Sequence, residues 1–270
     1  MIEIKNVKIG SNLPFVLIAG PCVVESEKIT FTTAEQIKKI TSKLGIQFIF
    51  KSSYKKANRT SIKSFKGIGD SEAINILNKV KLELELPLLT DVHSVDEISM
   101  LSESADVLQI PAFLCRQTEL LIAAGETGKA VNVKKGQFLA PEDMKHAIAK
   151  IESTGNKKIL LTERGSTFGY HNLVVDMRSL VIMKEFGYPV VMDATHSVQL
   201  PGSSGKTGGQ PKFIKPLAKA AAAIGIDALF LEVHPDPANA LSDAESQLPL
   251  SELENLLIEI QRIDTLIKKL

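Results

Sequence analysis

The chain has 270 residues, of which 44% are hydrophobic and 23% are charged, and its formal net charge is +1. This balance is typical of a globular protein with enough apolar residues for a large core. Because the net charge is near zero, no overall field attracts nucleic acid or an anionic membrane, and we expect neither as a partner. The length favours one domain over residues 1–270, since single α/β barrels reach roughly 250 residues.

Residues 1–12 alternate apolar and charged side chains, which predicts a short β-hairpin and not a signal peptide. No apolar run approaches the roughly 18 residues that a membrane-spanning helix needs. The two cysteines, Cys22 and Cys115, are too few for a disulfide framework. We therefore expect a soluble protein of the cytoplasm.

Eight short apolar runs recur along the chain, and near-continuous runs of this kind are typical of parallel strands that are covered on both faces. They are 15–19, 46–50, 86–89, 106–110, 130–133, 159–161, 190–192 and 228–231. Segments of helical periodicity fill the intervals and follow the last run. They are 30–44, 71–84, 95–103, 117–125, 141–154, 172–186, 212–224 and 250–270.

Eight strand–helix units in succession predict an α/β fold, a single (β/α)8 TIM barrel. An open sheet of eight strands is the alternative, but the turn after the first strand lacks the GxGxxG fingerprint. In a TIM barrel the chemistry gathers where the strands end and the following loops meet. Polar or metal-binding residues follow all eight runs: Cys22, Lys51, Asp91 with His93, Gln109, Lys134, Arg164, Asp193 with His196, and Glu232 with His234.

The cationic members of this rim predict a pocket for more than one anionic group. They are Lys51, Lys55, Lys56, Arg59, Lys134 and Arg164. A solvated loop would also explain the Lys55–Lys56 pair. Lys134 and Arg164 directly adjoin apolar strands, where burial is costly without an anionic partner.

A second set, Cys22, His196, Glu232 and Asp243, offers a thiolate, an imidazole and two carboxylates. These donors suit a divalent transition metal such as zinc, iron, manganese or cobalt. Their spacing matches no zinc-finger pattern, so only the fold could bring them together. Taken alone, a cysteine such as Cys22 is more often a small buried hydrophobic residue than a metal ligand, and we interpret Cys115 as such a residue.

The glycine-rich segment 201–209 contains Gly205-Lys206-Thr207, as a phosphate-binding P-loop would. Leu200 stands where that motif requires its first glycine, which excludes a P-loop. We predict a flexible lid over the barrel mouth instead.

Several motifs, in order over nearly the whole chain, resemble the 3-deoxy-D-manno-octulosonate 8-phosphate synthases. They include Ala19-Gly20-Pro21-Cys22, Lys56-Ala57-Asn58-Arg59-Thr60-Ser61, Thr90-Asp91-Val92-His93, Asn132-Val133-Lys134-Lys135, Arg164-Gly165-Ser166-Thr167-Phe168-Gly169-Tyr170 and Asp193-Ala194-Thr195-His196. The related 3-deoxy-D-arabino-heptulosonate 7-phosphate synthases typically read KPRTS in the second loop. Asn58 before Arg59 resembles the octulosonate version, although Thr60 replaces its more usual serine. Cys22 resembles the metal-dependent class, since metal-free members carry asparagine there.

The resemblance implies a transferase that condenses phosphoenolpyruvate with arabinose 5-phosphate and water, a step towards lipopolysaccharide. It implies that phosphoenolpyruvate is held by Lys51, Lys56, Gln109, Lys134 and Arg164, and the sugar phosphate by Asn58, Arg59 and Thr60. It also implies a homotetramer in which Phe113 and Arg116 complete a neighbouring site. The candidates for catalysis are Lys56, Asp91, His93 and His196.

Two alternatives stay open from the sequence. One is a heptulosonate synthase that uses erythrose 4-phosphate in the same barrel. The other is a non-catalytic barrel that binds a sugar phosphate as a regulator. The metal set argues against the second alternative, because binding alone would not need it.

Overall fold

The computed structural model describes residues 1–59, 61–202 and 208–269. In these ranges the strands are β1 (Ile2–Ile4), β2 (Val7–Ile9), β3 (Val16–Gly20), β4 (Phe48–Lys51), β5 (Leu88–Asp91), β6 (Val107–Ile110), β7 (Ala130–Lys134), β8 (Ile159–Glu163), β9 (Ser166–Thr167), β10 (Leu173–Val174), β11 (Val190–Asp193), β12 (Gln199–Leu200), β13 (Gly208–Gly209), β14 (Ala228–His234) and β15 (Leu248–Pro249). The α-helices are α1 (Glu27–Leu44), α2 (Asp70–Glu83), α3 (Val95–Ser104), α4 (Thr118–Glu126), α5 (Met144–Glu152), α6 (Arg178–Lys184), α7 (Ile214–Ile224) and α8 (Leu250–Lys268).

Eight of these strands form a closed parallel barrel in the order β3, β4, β5, β6, β7, β8, β11 and β14. Pairing of β14 with β3 closes the ring and sets Glu232 opposite Gly20. The residues of the barrel strands are buried throughout, as the unbroken apolar runs predict. The predicted TIM barrel is confirmed.

The predicted N-terminal hairpin is also confirmed, because β1 and β2 pair antiparallel. Its apolar side chains, among them Ile4 and Ile9, are buried against Val16, Ile18 and other residues of the barrel interior. The hairpin therefore covers the N-terminal end of the barrel. The opposite end, where the strands terminate, is left for the loops that carry the chemistry.

One helix prediction is wrong over part of its length. The segment 172–186 was expected to be one helix, but α6 begins only at Arg178. Leu173 and Val174 instead form β10, which pairs with β9 as a small hairpin. Three consecutive apolar residues, 173–175, fit a helical stripe and a strand equally well, and two of them are β-branched valines that favour the strand.

The predicted lid, 201–209, lies partly outside the described residues, which omit 203–207. On its two sides β12 and β13 pair antiparallel, Gln199 with Gly209 and Leu200 with Gly208. The described residues on the two sides of 203–207 are thus held together as a two-stranded sheet that is separate from the barrel sheet.

Gly20, at the end of β3, allows an unusually close approach between two barrel strands. A Cβ atom built on it would lie 2.0 Å from the carbonyl oxygen of Lys51. Only glycine fits such a contact. The loop that carries Cys22 is thereby held directly beside Lys51.

Within the ranges that the structure describes, no helix has both the length and the apolar character needed to cross a membrane.

Candidate active site

A cavity of about 350 Å³ opens at the C-terminal end of the barrel. Most of the predicted site residues line it: Lys51, Lys56, Asn58, Arg59, Asp91, His93, Gln109, Phe113, Lys134, Arg164, His196 and Asp243. Five of these carry a lysine or arginine charge, whereas only two are carboxylates, so the cavity is suited to anions. Thr60 lies outside the described residues, and Arg116 is exposed and does not line the cavity.

Lys51 and Glu232 form a fully buried ion pair beneath this cavity, with 2.8 Å between Nζ and Oε1. Lys51 Nζ also donates to the carbonyl oxygen of Cys22 (3.1 Å) and to Ser53 Oγ (3.2 Å). An ammonium group has three N–H bonds, and all three are therefore used within the protein. Lys51 therefore contributes positive charge to the site, but all of its N–H bonds already have partners within the protein.

Lys56 and Arg59 stand on the second loop. Lys56 Nζ lies 3.6 Å from Glu232 Oε1, and burial, which opposes its charge, is outweighed by neighbouring anions that raise the pKa of Lys56. Arg59 donates to Ser242 Oγ (2.7 Å) and lies 3.7 Å from Asp243. Both side chains face the cavity.

Lys134 and Asp193, which are buried, form a second group with the half-buried His196. Asp193 Oδ2 accepts from Lys134 Nζ (2.7 Å) and lies 2.8 Å from His196 Nδ1. Burial would raise the pKa of Asp193, but His196 and Lys134 outweigh it and hold that pKa well below its ordinary value. Burial lowers the pKa of Lys134, which marks the cost of keeping this ammonium group away from water.

Arg164 is buried, and its Nη2 donates to Gln199 Oε1 at 3.1 Å. Its Nη1 has no hydrogen-bond partner among the described residues. A buried guanidinium with an unused donor at a cavity wall is a binding group for an anion.

Asp91 is the end point of a hydrogen-bond chain that runs across the barrel interior. Thr162 donates to Asn132 (2.6 Å), Asn132 donates to Gln109 (2.9 Å), and Gln109 donates to Asp91. Ser53 donates to the other oxygen of Asp91. Burial would raise the pKa of Asp91, but Lys51, Lys56 and other cations keep it well below its ordinary value.

Three of the four predicted metal ligands come together. Donor atoms of Cys22, Glu232 and Asp243 all lie within 4.8 Å of one another. The fourth, His196, lies outside that mutual distance but places Nε2 3.5 Å from Glu232 Oε1. Glu232 Oε2 is buried and accepts no hydrogen bond from the described residues. Burial, Asp243 and Glu232 raise the pKa of the Cys22 thiol, so a thiolate there needs a further cation nearby.

Lys135 and Glu163 were missed by the sequence reasoning. Lys135 follows Lys134 in the chain, and Glu163 precedes Arg164. Both side chains are fully buried, with 3.6 Å between Lys135 Nζ and Glu163 Oε2. Lys135 Nζ also donates to Ser166 Oγ (3.0 Å), and Glu163 Oε1 accepts from the backbone of Gly165 (2.6 Å). This second pair supports the two loops that carry the cavity cations. The sequence signal that could have identified this pair is that Lys135 and Glu163 are charged residues directly next to the predicted cations Lys134 and Arg164.

Aromatic side chains project from the loops around the cavity into solvent. Phe113 is 57% exposed, Phe138 56%, Phe168 70% and Tyr170 96%. Of these four side chains, Phe113 lines the cavity.

The sequence of residues 1–269 matches one family model, described as the DAHP synthetase I family. The chain belongs to this family. Family relatives include proteins named 2-dehydro-3-deoxyphosphooctonate aldolase from Trichlorobacter lovleyi, 54% identical over 99% of this chain and 98% of the relative, and from Geobacter metallireducens, 55% identical over the same shares. A relative of the same name from Rickettsia felis is 54% identical over 100% of this chain and 98% of its own. These names belong to the octulosonate branch of the family, so the heptulosonate alternative is not favoured.

Proposed function

We propose that this chain is a transferase that condenses phosphoenolpyruvate with D-arabinose 5-phosphate and water, giving 3-deoxy-D-manno-octulosonate 8-phosphate and phosphate. The observation that carries the proposal is the cationic cavity, which lies directly above a cysteine–carboxylate cluster. Full-length relatives that are named for the octulosonate product support the same reaction.

Both substrates are anions, so their charges must be offset before the reacting carbons can approach. We propose that phosphoenolpyruvate binds at Lys56, Lys134 and Arg164, a site supported by their position on the cavity and by the unused donor of Arg164. Gln109, which Asn132 and Asp91 hold in one orientation, faces the same space. We propose that the sugar phosphate binds at the rim, where Asn58 and Arg59 line the cavity and Thr60 follows in sequence.

In the proposed reaction, carbon 3 of the enol attacks the aldehyde carbon, and the aldehyde oxygen takes up a proton. Water adds at carbon 2, and the resulting intermediate loses phosphate by cleavage of the bond between carbon 2 and the phosphate oxygen. Lys56, which its surroundings keep protonated, stabilises the oxygen that gains negative charge. His93 and Asp91 line the cavity within reach of a substrate and are the candidates for moving the proton.

We propose a divalent metal ion, manganese, iron, cobalt or zinc, held by Cys22, His196, Glu232 and Asp243. The donor set fits such an ion, since a thiol and two carboxylates lie within 4.8 Å of one another and Glu232 keeps an unused buried oxygen. When bound, such an ion supplies Lewis acid chemistry to a substrate or water oxygen. Cys22 must stay a reduced thiol for this role, which is consistent with a cytoplasmic location.

We also propose a homotetramer in which Phe113 and Arg116 reach the cavity of a neighbouring subunit. Both residues are exposed in the single chain, and Phe113 already lies at the cavity edge. Co-expression of the Arg116→Ala and Lys134→Ala chains tests this. Mixed oligomers should recover activity that neither variant has alone, whereas equal inactivity of the mixture would exclude a shared site.

Phosphate release decides the main proposal. It should be much faster with arabinose 5-phosphate than with erythrose 4-phosphate at equal concentrations of phosphoenolpyruvate. The reverse order would assign the chain to the heptulosonate branch. Binding of the sugar phosphate without phosphate release would support the non-catalytic alternative.

A further inference from the structure

The His93 imidazole borders the cavity just after the end of β5, between Asp91 and helix α3. One face of the ring lies near the buried ring of Tyr54, with 5.8 Å between the two centroids. Nδ1 lies 3.2 Å from Glu97 Oε2, and the backbone N–H of His93 donates to the same oxygen at 2.8 Å. Nε2 makes no hydrogen bond with any of the described residues and is left for the cavity.

Glu97 is itself held in place from its other side. Its Oε1 lies 2.9 Å from Lys55 Nζ, and Lys55 pairs in turn with Asp70 at 3.0 Å. Glu97 also stands in the first turn of α3, where the helix dipole favours a negative charge. Burial would raise the pKa of Glu97, but the contacts with Lys55 and His93 lower it, so the group is a carboxylate.

An ionised carboxylate only accepts hydrogen bonds, so the nitrogen that faces it must carry the hydrogen. We propose that Glu97 is a positioning residue that holds His93 as the Nδ1–H tautomer and presents the Nε2 lone pair to the substrate cavity. Free histidine in water prefers the opposite, Nε2–H tautomer. Glu97 therefore selects the form that can accept a proton or a hydrogen bond from a bound substrate.

The tautomer can be read without any assay of activity. The chain has five histidines, so ¹³C,¹⁵N-histidine labelling and solid-state NMR resolve each ring, and loss of one signal in His93→Ala assigns the one of interest. At a pH above the histidine range, the wild-type ring should show a protonated Nδ1 and an unprotonated Nε2. Glu97→Ala should shift the ring to the Nε2–H form. A wild-type ring that is already Nε2–H, or one that Glu97→Ala leaves unchanged, overturns the proposal.

Two further variants separate positioning from folding and from charge. Glu97→Gln keeps an acceptor oxygen for both N–H groups and should retain the Nδ1–H tautomer. Lys55→Met removes the ion pair but leaves the Glu97 carboxylate, and should also retain it. If Lys55→Met changes the tautomer as fully as Glu97→Ala does, the selection does not come from Glu97.

A kinetic test rests on the proposed function. Glu97→Ala should lower kcat by about tenfold with little change in KM, because orientation of a proton-transfer group acts on the chemical step. The double variant His93→Ala/Glu97→Ala should be no slower than His93→Ala, since Glu97 acts only through His93. Additive losses would instead assign Glu97 a structural role. If the wild type releases no phosphate at all, the proposed function fails, and the NMR result still decides the tautomer.

Discussion

Lys135 and Glu163 face each other across 3.6 Å behind the cavity wall, both with their side chains fully buried. Each is the chain neighbour of a residue that lines the cavity, Lys134 and Arg164 respectively. Successive side chains of a strand point to opposite faces. Lys134 and Arg164 therefore line the cavity, whereas Lys135 and Glu163 pair behind it and connect the two loops.

Replacing Glu163 with glutamine should therefore weaken the binding of one substrate more than that of the other. We expect KM for phosphoenolpyruvate to rise by about tenfold, equivalent to about 1.4 kcal/mol, because Lys135 loses its counter-charge and the loops of Lys134 and Arg164 shift. KM for arabinose 5-phosphate should change little, as steady-state kinetics with each substrate varied would show. Glu252→Gln, which removes an exposed ion pair with Lys215, is the matched control. Equal changes in both KM values would contradict a local role for the pair.

The two cysteines form a natural comparison for the metal proposal. Chelation should abolish phosphate release, and Mn²⁺ or Co²⁺ should restore it. Cys22→Ser should lower the metal content measured after purification, because a hydroxyl is a poorer ligand than a thiolate. Cys115→Ser should keep its metal, since Cys115 lies apart from the cluster beside Gly136. Full turnover by the metal-stripped wild type would refute the requirement.

Asp91 should contribute to stability in a pH-dependent way. Its pKa in the folded protein is below the ordinary value, so the ionised form stabilises the fold above about pH 4, and this contribution is lost as the pH falls further. Asp91→Asn should reduce the midpoint of urea unfolding at pH 7. As the pH falls, the variant should also lose less stability than the wild type. The control Glu3→Gln, at an exposed position on β1, should change neither the urea midpoint nor the acid sensitivity. Parallel acid curves for Asp91→Asn and the wild type would argue against this assignment.

Gly20→Ala should be among the most destabilising single substitutions in the barrel. The added methyl group would meet the Lys51 carbonyl at 2.0 Å, so β3 and β4 must separate. Gly155→Ala meets nothing within 4 Å and bears only the strain of a positive φ, about 1–2 kcal/mol. In thermal unfolding, the wild type should have the highest Tm, Gly155→Ala a lower one and Gly20→Ala the lowest. A Gly20→Ala protein as stable as Gly155→Ala would show that the strands can adjust.

The fold and most of the cavity could be predicted because each depends on local pattern. Apolar runs identify the buried strands, and the residue after a strand has only one end of the barrel to occupy. Lys134, Arg164 and Asp91 were found in this way. The lining of the barrel interior was harder to predict, since Asn132 and Thr162 are polar residues within buried strands.

Other features depend on pairings that sequence spacing does not reveal. Glu97 lies on the first turn of a helix, where an acidic residue is expected for the helix dipole alone. Its contact with His93 follows from the course of the loop between β5 and α3. The 172–186 prediction failed for a similar reason, because apolar periodicity over so short a segment does not distinguish a helix from a hairpin.

The Lys51–Glu232 pair joins residues 181 positions apart, across the seam where the last barrel strand meets the first ones. During synthesis Lys51 and Cys22 emerge long before Glu232 does. An intermediate that buried the Lys51 ammonium group before β14 docks would hold it without its carboxylate, which is strongly unfavourable. The Lys51 charge, which suits the cavity to anions, therefore also destabilises partly closed barrels. Folding of the ring should for this reason be cooperative, with closure at β14 as a late and decisive event.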